Sequence, residues 1–124
     1  MISSLIIDDV KFTAINLINI LKTLDHNDNK ILDNKNDILK VFQNDYLKDI
    51  KLIFLNLNIY ITEDIPDSYT LIKKIKDIDN NIKIVVISDR GKQKELLKAI
   101  QTGASDYIEK PLSKEKVEEV IKKI

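Results

Sequence analysis

Short apolar runs alternate along this chain with stretches whose apolar residues return at helical spacing. Ser4–Ile7 is a β-favouring run that ends in Asp8 and Asp9. Phe12, Ile15, Ile18 and Leu21 then recur at one helical period, predicting a helix from Phe12 to about Leu24 with those residues on its buried face. Lys30–Leu32, set between Asn- and Asp-rich turns, predicts a second strand, and Ile38, Leu39 and Phe42 a shorter helix. Lys51–Leu57 is a strongly apolar third strand. Leu71, Ile72, Ile75 and Ile78 give a third helix its face. Ile82–Ile87 is nearly all β-branched, the mark of a strand buried on both sides. Leu96, Leu97 and Ile100 predict a fourth helix that stops near Gly103. Tyr107 and Ile108 form a short fifth strand. Ser113 caps a last helix whose face is Val117, Val120, Ile121 and Ile124.

Strand and helix thus alternate five times. Such alternation, with right-handed crossovers, implies an α/β doubly wound (βα)5 fold. Its parallel five-stranded sheet carries helices on both faces in the order 2-1-3-4-5. No linker or low-complexity tail interrupts residues 1–124, which read as one domain. The least regular stretch is Ile59–Tyr69. Acidic and basic residues balance at 20 each, which argues against a broad electrostatic footprint for nucleic acid or for an anionic membrane. There is no cysteine, hence no disulfide framework and no thiolate metal site. No apolar run has the length of a membrane span. The opening MISSLIIDDV lacks the basic region of a secretory leader, so a cytoplasmic location is expected. His26 follows a helix and precedes Asn-Asp-Asn, and is expected to be exposed and chemically idle.

In a doubly wound sheet the ligand crevice lies beyond the carboxyl ends of the strands. The residues that fall there are Asp8 and Asp9, then Asn56, Leu57 and Asn58, then Ser88 and Asp89, and finally Lys110 and Pro111. Paired carboxylates beside carbonyl oxygens suit a hard divalent cation such as Mg2+. A lysine opposite them can neutralise an anion or an acidic side chain. Singly, each feature has an ordinary structural reading. Two acids after a strand favour the positive end of a helix dipole, a serine caps, Lys-Pro turns, and an asparagine fits a turn. Their joint placement at the strand ends favours a functional crevice.

The motifs LIIDDV, KLIFLN, IVVIS and GASDYIEKP together resemble the response-regulator receiver domains of two-component phosphorelay signalling, over essentially the whole chain. The resemblance implies that Asp8 and Asp9 are the Mg2+-binding acids, with Asp9 the direct ligand and Asn58 supplying a main-chain carbonyl. Ser88 would bond a phosphoryl oxygen and Tyr107 would turn inward as a switch when it does. Lys110 would bond the phosphoryl group, and the Lys110–Pro111 peptide would be cis. The interval from Ser88 to Lys110 is the family's usual one. A protein partner, or a second copy in a homodimer, would engage the surface of the fourth helix, fifth strand and fifth helix. That surface includes Lys92, Lys94, Lys98, Gln101, Asp106, Glu109, Lys114, Glu118 and Lys122.

The chain departs from this pattern at several points. Asn56 stands where the family has its phosphate-accepting aspartate, and no aspartate occurs in LIFLNLNIY. An amide is not a useful nucleophile toward phosphohistidine. It also removes one charge from a cluster of three acids. Two carboxylates about 6 Å apart repel by roughly 3 kcal/mol at an effective dielectric near 20, so the change relieves repulsion and weakens Mg2+ binding. Asp89 replaces a usual Ala or Gly and reads as a gate at the pocket mouth. Tyr60 replaces a common proline, Ser68 a common glycine, and the Ile59–Tyr69 loop is about four residues longer than usual. Glu63, Asp64 and Asp67 lack the fixed geometry of a substitute acceptor. The chain therefore reads as a pseudo-receiver, a non-enzymatic interaction module. The alternative is a phosphoacceptor domain with an altered pocket. A flavodoxin-like cofactor site needs a Gly/Ser/Thr loop after the first strand, where Asp8-Asp9-Val10-Lys11 stand instead. A haloacid-dehalogenase-like phosphatase needs aspartates separated by one residue, and here they are adjacent.

Overall fold

A computed structural model describes residues 4–124. Strands β1 (Ser4–Ile7), β2 (Asn29–Leu32), β3 (Leu52–Asn56), β4 (Lys83–Ser88) and β5 (Asp106–Glu109) form one sheet in the order β2-β1-β3-β4-β5. Every pairing is parallel. The crossovers carry α1 (Lys11–Thr23), α2 (Lys35–Leu39), α3 (Ser68–Ile78) and α4 (Gln93–Thr102), and α5 (Lys114–Lys122) closes the domain. A 3-10 turn, Lys40–Phe42, continues α2. The doubly wound fold and strand order expected from the sequence are those observed.

Alternation along the strands sorts the core into two layers. Leu5, Ile7, Ile53, Leu55, Ile84 and Val86 pack with residues of α2, α3 and α4 on one face. Ile6, Leu52, Phe54, Val85, Ile87 and Ile108 pack with α1 and α5 on the other. Local chemistry fixes the helix ends. Asp67 caps α3 by accepting the Thr70 N–H at 2.8 Å, and Ser113 caps α5 by accepting the Lys116 N–H at 3.2 Å. α4 stops at Gly103, whose φ of 138° disfavours a side chain. A Cβ there would lie 3.3 Å from Lys76 Cγ, so the lysine stem also needs the glycine.

Several expected faces differ in detail. α1 buries Ala14, Leu17 and Leu21, with Ile18 half-buried, while Ile15 is exposed and Phe12 is 81% exposed. The buried stripe is displaced around the helix and runs through the small, fully buried Ala14 and Leu17. α4 likewise buries Leu96 and Ala99, leaving Leu97 and Ile100 exposed. Ile78 and Ile124, placed by periodicity on buried faces, are exposed at helix ends. The irregular stretch after β3 is better ordered than its composition suggests. Ile59, Ile61 and Ile65 are buried, and the Ile61 and Thr62 N–H groups both donate to the Ile65 carbonyl at 3.1 Å. His26 is half-buried rather than exposed, because its N–H donates to the Leu21 carbonyl and folds the residue back on α1.

The turned face of α1 can be checked by chemical denaturation. Leu17→Ala should lose about 2–4 kcal/mol of unfolding free energy, whereas Phe12→Ala should change it by less than about 0.5 kcal/mol.

Candidate functional site

The carboxyl ends of β1, β3, β4 and β5 bring the expected residues to one end of the sheet. Ile7 pairs in register with Leu55, and Asn56 with Ile87, so Asp8, Asn56 and Ser88 follow adjacent rungs. All three are buried polar residues, at 3%, 7% and 2% exposure. Asp9 is exposed beside them.

Asn56 organises this end of the sheet. Its Nδ2 donates to Asp8 Oδ1 at 3.2 Å, to Asp9 Oδ1 at 3.3 Å and to the Asn58 carbonyl oxygen at 3.4 Å. Its Oδ1 accepts the Asn58 N–H at 3.2 Å. This last bond fixes which end of the amide faces the acids. Reversing it would set an oxygen against two carboxylate oxygens and an NH2 against an N–H. Asp8 Oδ1 also accepts the Val10 N–H at 2.8 Å, which anchors the turn into α1.

Burial pushes the Asp8 carboxyl above its ordinary value of 3.8, while the Val10 N–H, the nearby Lys110 ammonium and the Asn56 amide pull the other way. Lys110 makes its ion pair with Asp89 Oδ1, at 3.7 Å. The Ser88 hydroxyl donates to the Asp89 carbonyl at 3.0 Å. Asp89 thus stands over the β4 end, holding Lys110 by its carboxylate and Ser88 by its backbone. The Lys110–Pro111 peptide is cis, as the resemblance implied. Tyr107 is turned outward, at 43% exposure, and its N–H donates to Asp106 Oδ1.

Beside this crevice, the α4–β5–α5 surface carries features that charge patterning did not single out. Leu97 is 60% exposed on α4 and Ile100 lies near it in sequence. A groove of about 640 Å3 runs along β5 and α5, lined by Arg90, Tyr107, Glu109, Lys116 and Lys123 among others. Arg90 is its unforeseen member. Glu63 and Asp64 lie at the exposed tip of the β3–α3 loop, and Asp67 is engaged as the α3 cap.

A divalent cation implied by this crevice would call on Asp8, Asp9 and the Asn58 carbonyl. In the observed arrangement one oxygen of each carboxylate and the Asn58 carbonyl are turned onto the Asn56 amide nitrogen, so the set does not fit a cation unless that N–H donor is displaced. An N–H donor cannot ligate a metal. Among the described residues, no group of three or more His, Cys, Asp and Glu side chains is placed to hold a metal ion. No helix among them is long and apolar enough to cross a membrane.

Comparison with known proteins agrees with this architecture. A family model described as response regulator receiver domain matches residues 4–122. The chain is 44% identical over 61 residues to the chemotaxis protein CheY of Treponema pallidum, a stretch covering 49% of this chain and 42% of that protein. It is 41% identical over 63 residues to the chemotaxis protein CheY of Bacillus subtilis, covering 51% and 52%. The matched stretch thus spans about half the length of these curated relatives. Among solved structures, the receiver domain of NtrX from Brucella abortus superposes with a TM-score of 0.82 at 23% identity, covering 98% of this chain and 96% of that one. A chain of the CheX–CheY–BeF3–Mg2+ complex from Borrelia burgdorferi gives 0.79 at 25% identity, covering 98% and 87%.

The raised Asp8 pKa has a consequence for stability. A carboxyl whose folded pKa exceeds its unfolded value gives the fold an advantage that is full below the unfolded value of 3.8 and is lost as pH rises through the folded one. In EDTA at about pH 7, Asp8→Asn should therefore melt at a higher temperature than the unmodified chain, because its amide oxygen still accepts from Val10 and Asn56. The difference should close at about pH 3, as followed by circular dichroism.

Proposed function

The chain belongs to the response regulator receiver domain family, and from that premise we propose that it is a pseudo-receiver, signalling through protein contact without being phosphorylated. One observation carries this reading. The side chain that emerges from β3 toward Asp8 and Asp9 is a neutral amide. In the proposed alignment Asn56 occupies the acceptor position. Its nitrogen lone pair is delocalised and its N–H groups are committed to the acids, so it offers no nucleophile for phosphoryl transfer. Ser88, Tyr107 and Lys110 take the family's accessory positions. They are engaged internally or, in the case of Tyr107, turned outward. Asp89 acts in this reading as a gate, its carboxylate lying where an incoming phosphoryl group would meet Lys110. The weak Mg2+ binding expected from the sequence through Asp8, Asp9 and the Asn58 carbonyl has no part in this reading, because those groups are engaged by the Asn56 amide.

The partner, in this reading, meets the α4–β5–α5 face. Exposed Leu97 is flanked there by Lys94 and Lys98 on the same helix. Lys122 and Lys123 are ion-paired within the domain, to Glu118 and to Asp106 and Glu119. Lys92, Lys94 and Arg90 make no ion pair among the described residues, which fits a protein partner presenting acidic groups around an apolar one.

Incubation with acetyl phosphate and Mg2+ should add no phosphoryl mass to the unmodified chain. A stoichiometric adduct labile to hydroxylamine would overturn the reading in favour of a different acceptor carboxylate. Asn56→Asp should regain slow phosphorylation, and adding Asp89→Ala should speed it about tenfold or more, since a carboxylate at the mouth opposes the donor by roughly 1–3 kcal/mol. Equal rates for the two variants would show that Asp89 is no gate.

A further inference from the structure

We propose that the Asn56 side-chain amide is a resident substitute for a divalent cation, its nitrogen gathering Asp8, Asp9 and the Asn58 carbonyl so that the crevice is closed without metal and indifferent to it. The inference rests on the reading that this crevice corresponds to the metal-binding pocket of a receiver, and it concerns the cation rather than phosphorylation.

The geometry has the form of a coordination centre. Oxygens from two separate loops, those after β1 and β3, converge on a single atom at 3.2, 3.3 and 3.4 Å. These are hydrogen-bond lengths at the long end of the range, as expected when two N–H groups are shared among three acceptors. Two of the acceptors are carboxylates, so the bonds are charge-assisted. Mg2+ demands its oxygens at about 2.0–2.1 Å in near-octahedral array, and Asp8 Oδ1, Asp9 Oδ1 and the Asn58 carbonyl cannot close around one ion to that distance while the NH2 group sits among them. Turning the amide oxygen inward as a neutral ligand would cost a further bond. That oxygen is held from the other side by the Asn58 N–H at 3.2 Å, within the same loop that supplies the third acceptor.

The electrostatics allow a neutral group to suffice. With asparagine at this position the cluster holds two carboxylates rather than three. One of them, Asp8, already accepts the Val10 N–H and lies in the field of the Lys110 ammonium. What is left to neutralise is within the reach of one polarised amide. The same residue that removes the third charge therefore supplies the donor that the remaining acids need. A cation entering the crevice must displace this donor and break the Asn58 tether, so the site is blocked rather than merely poor in ligands.

Blocking and poverty of ligands make opposite predictions for Asn56→Ala, which removes the amide without adding a charge. The experiment is a Mg2+ titration of the 15N-labelled domain, with thermal unfolding in EDTA and in millimolar MgCl2. The unmodified chain should keep one melting temperature in both buffers and show no movement of the Asp9, Asn56 and Asn58 amide signals. Asn56→Ala should bind Mg2+ about tenfold more tightly than the unmodified chain, the worth of one charge-assisted hydrogen bond, although it has lost a polar group. Asn56→Asp should melt lower in EDTA and recover with Mg2+. Stabilisation of the unmodified chain by Mg2+, or an Asn56→Ala variant that binds no better than the unmodified chain, would overturn the proposal. Either result would leave the absence of a phosphoryl adduct untouched, so the two readings fail separately.

Discussion

Strand β3 lies between β1 and β4 with packed layers over both its faces, so its residues have no room for a polar side chain until the strand ends. Leu52, Ile53, Phe54 and Leu55 are all buried, and they alternate between the two layers. Asn56 is the first position at which a polar group can emerge, and it emerges opposite the acids that follow β1. The position of the amide is thus a by-product of hydrophobic sorting in the middle of the sheet. A one-residue slip would exchange the two faces of the strand and lose both core layers together. The crevice inherits its precision from that penalty, not from its own long hydrogen bonds.

The strands were readable because a parallel sheet covered on both faces demands continuous apolar runs, and few other structures do. Helix faces were harder. In an isoleucine-rich chain more than one register around a helix satisfies the apolar spacing. On α1, Phe12–Ile15–Ile18–Leu21 and Ala14–Leu17–Ile18–Leu21 are both plausible stripes, and the second is the one used. The second stripe runs through a small, fully buried alanine. Ala99 plays the same part on α4. In the loop after β3, three isoleucines separated by polar residues carry no periodic signal, yet each is buried.

The membership of the crevice was legible for a topological reason. Strand ends converge in this fold whatever the sequence between them, so residues far apart in the chain could be assigned to one place. Pairings within the crevice were not legible. The orientation of the Asn56 amide depends on the Asn58 N–H, and the choice of Asp89 as the partner of Lys110 depends on side-chain reach across β4 and β5. Both are rotamer-level facts that no spacing rule contains. The outward stance of Tyr107 belongs with them.

The strand order also bears on how the molecule comes to be made. β2 pairs with β1, β3 with β1, β4 with β3 and β5 with β4. Each strand after the first therefore finds its neighbour already present in the preceding chain, and none must wait for a later one. The sheet can grow in the direction of synthesis, each new strand pairing with the free edge of an earlier one. The contacts among Asp8, Asp9, Asn56 and Asn58 need only the first half of the sequence. None of them involves Ser88 or Lys110, so the last strands dock against a crevice whose acids have their partners within the first three strands and the loops that follow them.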